Sequence, residues 1–370
     1  MSTPPPPFPV DAVPPPSPES TAQPGLPTRS TLSTPVDYVW LTRPGRAWWR
    51  LPLSLLLFLA IWVVIVMALG LALMVLGAMA GSDLAWLDAM DDPNATITPM
   101  LLLFTGLLLA ALIPAAIIST WVTQRIRPGY VHSVAGRFRW RFFGEVTLIL
   151  FPVWLGVIAL QASLSGGLFS GPGPESRIVV FTVILWLTIP LQAAGEEYAF
   201  RGWLLQNIGG LIPNRLLAWA VPTILSAAVF AVAHGSFDPW ILIDLGIFAT
   251  ATVLMIWRTG GLEAAISLHI LNNVIVLQYQ LINGGIDDVF VSSETTGSVL
   301  GVVFSLVTHA IAVAVVWWWA ARRGVQRTTL TDPRIRPRHP LPPAGTLPPT
   351  ERLMVVPQSR PSAYRPPSSS

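Results

Sequence analysis

Residues 182–202, TVILWLTIPLQAAGEEYAFRG, decide how this chain is read. A run apolar enough to take a bilayer as its natural solvent is closed by two carboxylates and a guanidinium, Glu196, Glu197 and Arg201. Charge placed there is costly, by a few kcal/mol per group on insertion scales, so an ionisable group kept inside a membrane span is a functional candidate by default.

The rest of the sequence supports the membrane reading. Over 370 residues the chain is 52% hydrophobic and 11% charged, with a mean hydropathy of +0.60, which is too apolar for a soluble enzyme of this length. All 22 basic residues are arginine, and a formal charge of +3 gives no ground for expecting nucleic acid as a partner. Cysteine is absent, which removes disulfides, thiolate metal sites and cysteine nucleophiles together.

Apolar spans of membrane-crossing length begin with LPLSLLLFLAIWVVIVMALGLALMVLGAMA and recur at about 100–124, 143–164, 178–195, 216–235, 240–257, 261–281 and 298–321. The first is twice the length of a signal-peptide core and starts some fifty residues in, so a retained helix is expected despite the small residues at its end. The fold class is therefore all-α, a polytopic membrane protein of about eight transmembrane helices. The bundle covers 48–321, flanked by Pro-rich tails at 1–40 and 325–370 that hold too little apolar surface to offset the entropy of ordering and are expected to be disordered.

Arginine placement predicts the topology, because cytoplasmic loops carry the excess of positive charge. Arg43, Arg46 and Arg50 precede helix one; Arg125, Arg127, Arg137, Arg139 and Arg141 join helices two and three; Arg322, Arg323 and Arg327 follow helix eight. Arg215 and Arg258 lie in short turns on the same side, while Asp83, Asp88, Asp91, Asp92, Asp287, Asp288 and Glu294 lie on the other. Both termini are expected in the cytoplasm. The abundance of Ala, Pro, Arg and Trp with no Lys suggests a GC-rich bacterial genome and hence the plasma membrane.

Within the spans, Glu197 and Arg201 are four apart and can pair on one helix face. Glu196 lies about 100° round the helix from Glu197, cannot share that geometry, and is left free to accept a proton from water. Pro190 breaks the backbone ladder one and a half turns earlier and makes room for water. In FAVAHG, Phe230 and His234 are one turn apart, and in SLHILNN so are His269 and Asn273. Taken singly, the histidines read as well as interhelical hydrogen-bonding groups as they do as catalysts. Together, a carboxylate, two imidazoles and a carboxamide on separate helices are the parts needed to activate water and stabilise a tetrahedral intermediate.

Asp244 could join the site, hold a water or cap a turn; His309 is expected to bond a neighbouring helix; and Glu263 suits the N-terminal end of a helix dipole. The tryptophans read as interfacial anchors. Counting rise along straight helices from the cytoplasmic turns puts Glu196 at about 20 Å, His234 at about 28 Å and His269 at about 12 Å. These groups can meet only if helices tilt and the 235–240 connection is recessed.

Glu196, Glu197 and Arg201 fit EExxxR, Phe230 and His234 fit FxxxH, and His269 and Asn273 fit HxxxN, in that order. Over residues 175–285 the chain thus resembles the CPBP intramembrane proteases, the Abi or CAAX prenyl protease 2-like family. The resemblance implies an intramembrane endopeptidase cutting a membrane-associated protein or peptide. Glu196 would act as general base, His234 would help hold the water, His269 and Asn273 would stabilise the oxyanion, and Glu197, Arg201 and Phe230 would support them. Glu196, His234 and His269 could also hold a divalent metal such as zinc; with no HExxH present and a metal-free mechanism accounting for the same residues, no obligatory cofactor is expected. Two non-proteolytic readings compete: a proton-coupled transporter, which would be expected to show an internal repeat not seen here, and a scaffold or immunity protein on the same fold.

Overall fold

The computed structural model describes residues 31–45, 47–79, 97–164, 176–233, 237–284 and 296–334, with isolated positions in the turns between them. Among the described residues, eight helices are long and apolar enough to cross a membrane: α1 (Arg50–Met79), α2 (Pro99–Gln124), α3 (Trp140–Leu164), α4 (Ile178–Gly209), α5 (Arg215–Val232), α6 (Pro239–Thr259), α7 (Glu263–Asn283) and α8 (Val299–Arg322). The protein is a multi-pass membrane protein, as its sequence indicates.

Burial is graded across the bundle. In α7, 56% of the most apolar window is buried, and the helix packs against α3, α4 and α6. In α1 only 6% is buried, and its Leu, Val and Met side chains face outward where lipid would lie. Trp203 of α4 donates to Ser54 of α1 at 2.8 Å, fixing that helix to the bundle at the level of its first turns. The second helix is interrupted at Ala111, where Pro114 cannot donate to the preceding turn.

The arginine-bearing segments gather at one end. Val134 donates to Gly260 at 2.8 Å and Leu262 to His132 at 2.9 Å, tying the α2–α3 connection to the α6–α7 turn. Arg139 reaches the carbonyls of Thr259 and Gln326 and forms a 2.6 Å ion pair with the buried Glu263, in the first turn of α7. Glu263 therefore sits at a helix N-terminus as expected, but its main partner is an arginine that the sequence left as a topology marker.

The tail boundaries need correction. Residues Thr31–Asp37 form β1, which pairs antiparallel with β2, Thr328–Thr331. Asp37 accepts from Arg215 at 2.6 Å, Tyr38 donates to the Val131 carbonyl at 2.6 Å, and Val39 and Leu41 are fully buried. Residues 31–40 of the tail expected at 1–40 and 325–334 of the tail expected at 325–370 are thus structured, because both flanks cover the arginine-rich end. The remainder of both tails lies outside the described residues.

Candidate active site

The carboxylates are set by a close helix contact. A Cβ at Gly195 would fall 2.0 Å from the Leu109 carbonyl oxygen, and one at Gly106 would fall 2.6 Å from Thr188 Cβ, so α4 and α2 approach as closely as glycine allows. Directly after Glu197, Tyr198–Leu204 winds as a π-helix, with the Leu205 N–H bonding the Phe200 carbonyl. The sequence pattern suggested a plain α-helix through this stretch. A π-turn widens the helix and turns the following side chains, a device found most often at functional sites. All of this turn except Phe200 is buried.

A chain of charged groups runs through it. Arg201 Nη1 donates to Glu197 Oε1 at 3.1 Å, and both side chains are 0% exposed. The same oxygen accepts from His269 Nδ1 at 3.0 Å, and the other imidazole nitrogen, Nε2, faces Glu196 Oε2 at 3.3 Å. With Nδ1–H given to Glu197, Nε2 can donate to Glu196 only when the imidazole carries its second proton. Arg201 is further held over the faces of Phe200, Phe230 and Phe248, at 5.9, 5.6 and 5.7 Å, which gives a buried cation a π surface on several sides.

A second, neutral network meets the first at Glu196. Gln192 Nε2 donates to Glu196 Oε1 at 2.8 Å, and Gln192 Oε1 accepts from Asn273 Nδ2 at 3.2 Å. Asn273 Oδ1 accepts from Asn272 Nδ2 at 3.2 Å. Glu196, His269, Asn273 and Gln192 line one cavity of about 460 Å³; Glu197 and Arg201 do not reach it. The cavity runs from these residues towards Trp240 and Gly297, at the starts of α6 and α8, away from the arginine-rich end.

Of the residues singled out from sequence, Glu196, Glu197, Arg201, Phe230, His269 and Asn273 come together. His234 and Ser236 lie outside the described residues, so the position of that imidazole and the expected recess at 235–240 rest on atoms not described. His309 departs from expectation: its Nδ1 bonds the Ser305 carbonyl of its own helix at 2.8 Å rather than a neighbouring helix, because the main-chain carbonyl one turn earlier lies within its reach. Gln192 was missed. Its signal was a single amide one turn before Glu196, easily read as filler in an apolar run.

As for a metal, a catalytic zinc needs three protein ligands. Among the described residues no group of three His, Asp or Glu side chains is placed to hold one, and Glu196 and His269 supply only two. His234, the third ligand such a metal would take, lies outside the described residues.

A buried carboxylate and imidazole and a half-buried carboxamide thus face one cavity within a helical membrane scaffold. Residues 177–275 match the family model described as Type II CAAX prenyl endopeptidase Rce1-like, a similarity that covers the same core as the three motifs. The chain is 26% identical over 151 residues to the membrane-embedded CAAX protease MroQ of Staphylococcus aureus (strain USA300), which covers 39% of this chain and 58% of that one. It is 24% identical over 155 residues to the uncharacterized protein YyaK of Bacillus subtilis (strain 168), covering 39% of this chain and 50% of the relative. The alignments thus span only about half the length of these curated relatives. No solved structure matches.

Proposed function

We propose that the chain is an intramembrane endopeptidase in which Glu196 activates water against a peptide bond of a membrane-associated protein or peptide. The observation that carries this reading is the division of labour between adjacent carboxylates: Glu197 is enclosed with Arg201, whereas Glu196 faces the cavity beside His269 and Asn273. Water entering between Glu196 and a scissile carbonyl gives a proton to the carboxylate as its oxygen bonds the carbonyl carbon. The oxyanion is met by N–H groups of His269 and Asn273. Collapse breaks the C–N bond, and the proton passes from Glu196 to the leaving nitrogen. Glu197 acts as a positioning residue, fixing which imidazole nitrogen of His269 faces the cavity. His234 keeps the role the family resemblance gives it, holding the water with Glu196. We place both termini in the cytoplasm of a bacterial cell, on the strength of the clustered arginines.

The test compares membrane proteomes of cells carrying the wild type, Glu196→Ala and Glu196→Gln. Peptides lost or gained in both variants relative to wild type are expected. Three identical profiles would return the transporter or scaffold reading.

A further inference from the structure

The cavity holds a second polar group set that the proposed hydrolysis does not use. Asp244 of α6 and His309 of α8 both line it, together with Ser305 one turn before His309. Asp244 has no hydrogen bond or ion pair among the described residues, although its charge acts on His309. His309 is 6% exposed, and its Nε2 has no hydrogen-bond partner. Because Nδ1 bonds the Ser305 carbonyl at 2.8 Å, Nδ1 carries the hydrogen, and Nε2 of the neutral ring presents a bare lone pair. A buried acceptor and an unpaired carboxylate on facing helices are an arrangement that a hydrogen-bond donor with positive charge would complete.

The charge of the whole cavity points the same way. Glu196 and Asp244 both line it, no arginine does so among the described residues, and the chain has no lysine to contribute. The walls around His309 are aromatic: Trp154 meets its ring edge-on at 6.2 Å and Phe248 at 5.7 Å. Aromatic faces beside a carboxylate suit the long apolar stem and charged head of a basic side chain.

Resting on the protease reading, we infer that Asp244 and His309 form a specificity subsite for an arginine or lysine side chain of the substrate peptide, close to the bond cut at Glu196. Phe248 sets the spacing, since its ring contacts the His269 imidazole at 4.8 Å as well as that of His309 at 5.7 Å. At about 3.3 Å per residue of extended peptide, the basic residue sits roughly two to four positions from the scissile bond. It lies on the side nearer the starts of α6 and α8.

The test uses the full chain in phosphatidylcholine nanodiscs. Fluorescein-labelled apolar peptides, identical except for Arg, Gln or Glu at one position, are titrated against Glu196→Gln protein by anisotropy. A randomised apolar peptide library is cleaved by wild type and its cut sites are read by mass spectrometry. The Arg peptide is expected to bind about tenfold tighter than the Gln peptide, with the Glu peptide weakest, and Asp244→Asn added to Glu196→Gln removes the preference. Equal binding of the Arg and Gln peptides to protein with Asp244 intact overturns the subsite, a comparison that needs no variant of Asp244 to fold. Cleavage without basic enrichment two to four residues from the cut also overturns it while leaving the protease standing. Asp244-dependent binding with no cleavage by wild type upholds the subsite and removes the protease. Loss of the Arg preference on adding phosphatidylethanolamine would assign the site to a lipid ammonium and overturn the peptide ligand.

Discussion

Replacing Glu197 and replacing Glu196 should have opposite consequences, although the two differ by one position. Glu197→Gln leaves the Arg201 guanidinium, 0% exposed, without its carboxylate, and two of its nitrogens, Nε and Nη2, already have no hydrogen-bond partner. Stranding a buried charge in this way costs about 3–5 kcal/mol. The three phenylalanine faces stay in place in both forms and so cannot offset the loss. At roughly 2–4 °C per kcal/mol for a chain of this order of size, the thermal midpoint in detergent should fall by about 6–20 °C. Glu196→Gln is isosteric and keeps an acceptor for Gln192 Nε2, so its midpoint should stay within about 1 kcal/mol of wild type while cleavage is lost. Intrinsic tryptophan fluorescence during heating reads both, with 16 tryptophans as reporters. Adding Arg201→Met to Glu197→Gln removes the stranded cation and should recover part of the loss, giving a coupling of about 2–3 kcal/mol. A Glu197→Gln midpoint equal to that of wild type would refute the claim that this carboxylate neutralises Arg201.

Gly195→Ala drives a methyl group into the Leu109 carbonyl, so α4 must move off α2; a loss of about 1–3 kcal/mol is expected, with lowered cleavage even though no catalytic atom is changed. Burial holds the His132 imidazole, in the α2–α3 connection, below its ordinary value of 6.5, with Glu263 opposing. The unfolded chain then takes up this proton before the folded one does, so the stability contribution is lost as pH falls through about 6.5, and His132→Gln should flatten the drop in thermal midpoint between pH 7.5 and 5.5. Asp332, held below its usual 3.8 mainly by Arg334, contributes only at more acidic pH and does not confuse that window. Since the chain lacks cysteine, Arg137→Cys and Ser163→Cys report sidedness directly. In intact cells an impermeant maleimide should label position 163 and spare 137, and the reverse pattern would invert the topology.

The helices were legible because membrane spans state their length and polarity in composition alone, and the arginine loops gave the common end at which they meet. Glu196, Glu197, Arg201 and His269, which the structure brings together, stood out for the related reason that ionisable groups are conspicuous in an apolar background. What stayed hidden depends on contacts distant in sequence. The pairing of Arg139 with Glu263 spans 124 residues, and no local pattern separates it from the other loop arginines. The ordering of Thr31–Asp37 depends on a ladder to Thr328–Thr331 at the opposite end of the chain, so a polar, Pro-containing stretch read locally as tail. The π-turn at Tyr198–Leu204 is not announced by the sequence of one helix, whose pattern reads as continuous α-helix.

The π-turn and the paired glutamates form a single device. A carboxylate inside a membrane scaffold is held by an opposite charge or by hydrogen bonds, but one held fully by a guanidinium is a poor base. In this chain Glu197 takes the guanidinium and passes its influence to His269, whose far nitrogen meets Glu196 at 3.3 Å. Glu196 is thereby held at one remove from the fixed positive charge, with one oxygen on Gln192 and the other on the imidazole. It keeps a hydrogen-bonded position without a direct salt bridge to arginine, the condition a general base needs to be both placed and reactive. Exchanging the residues, Glu196→Gln with Gln192→Glu, would move the carboxylate one turn along α4, away from His269. If His269 governs Glu196 as argued, that double variant should stay folded and remain inactive, and recovered cleavage would show that any carboxylate in the cavity suffices.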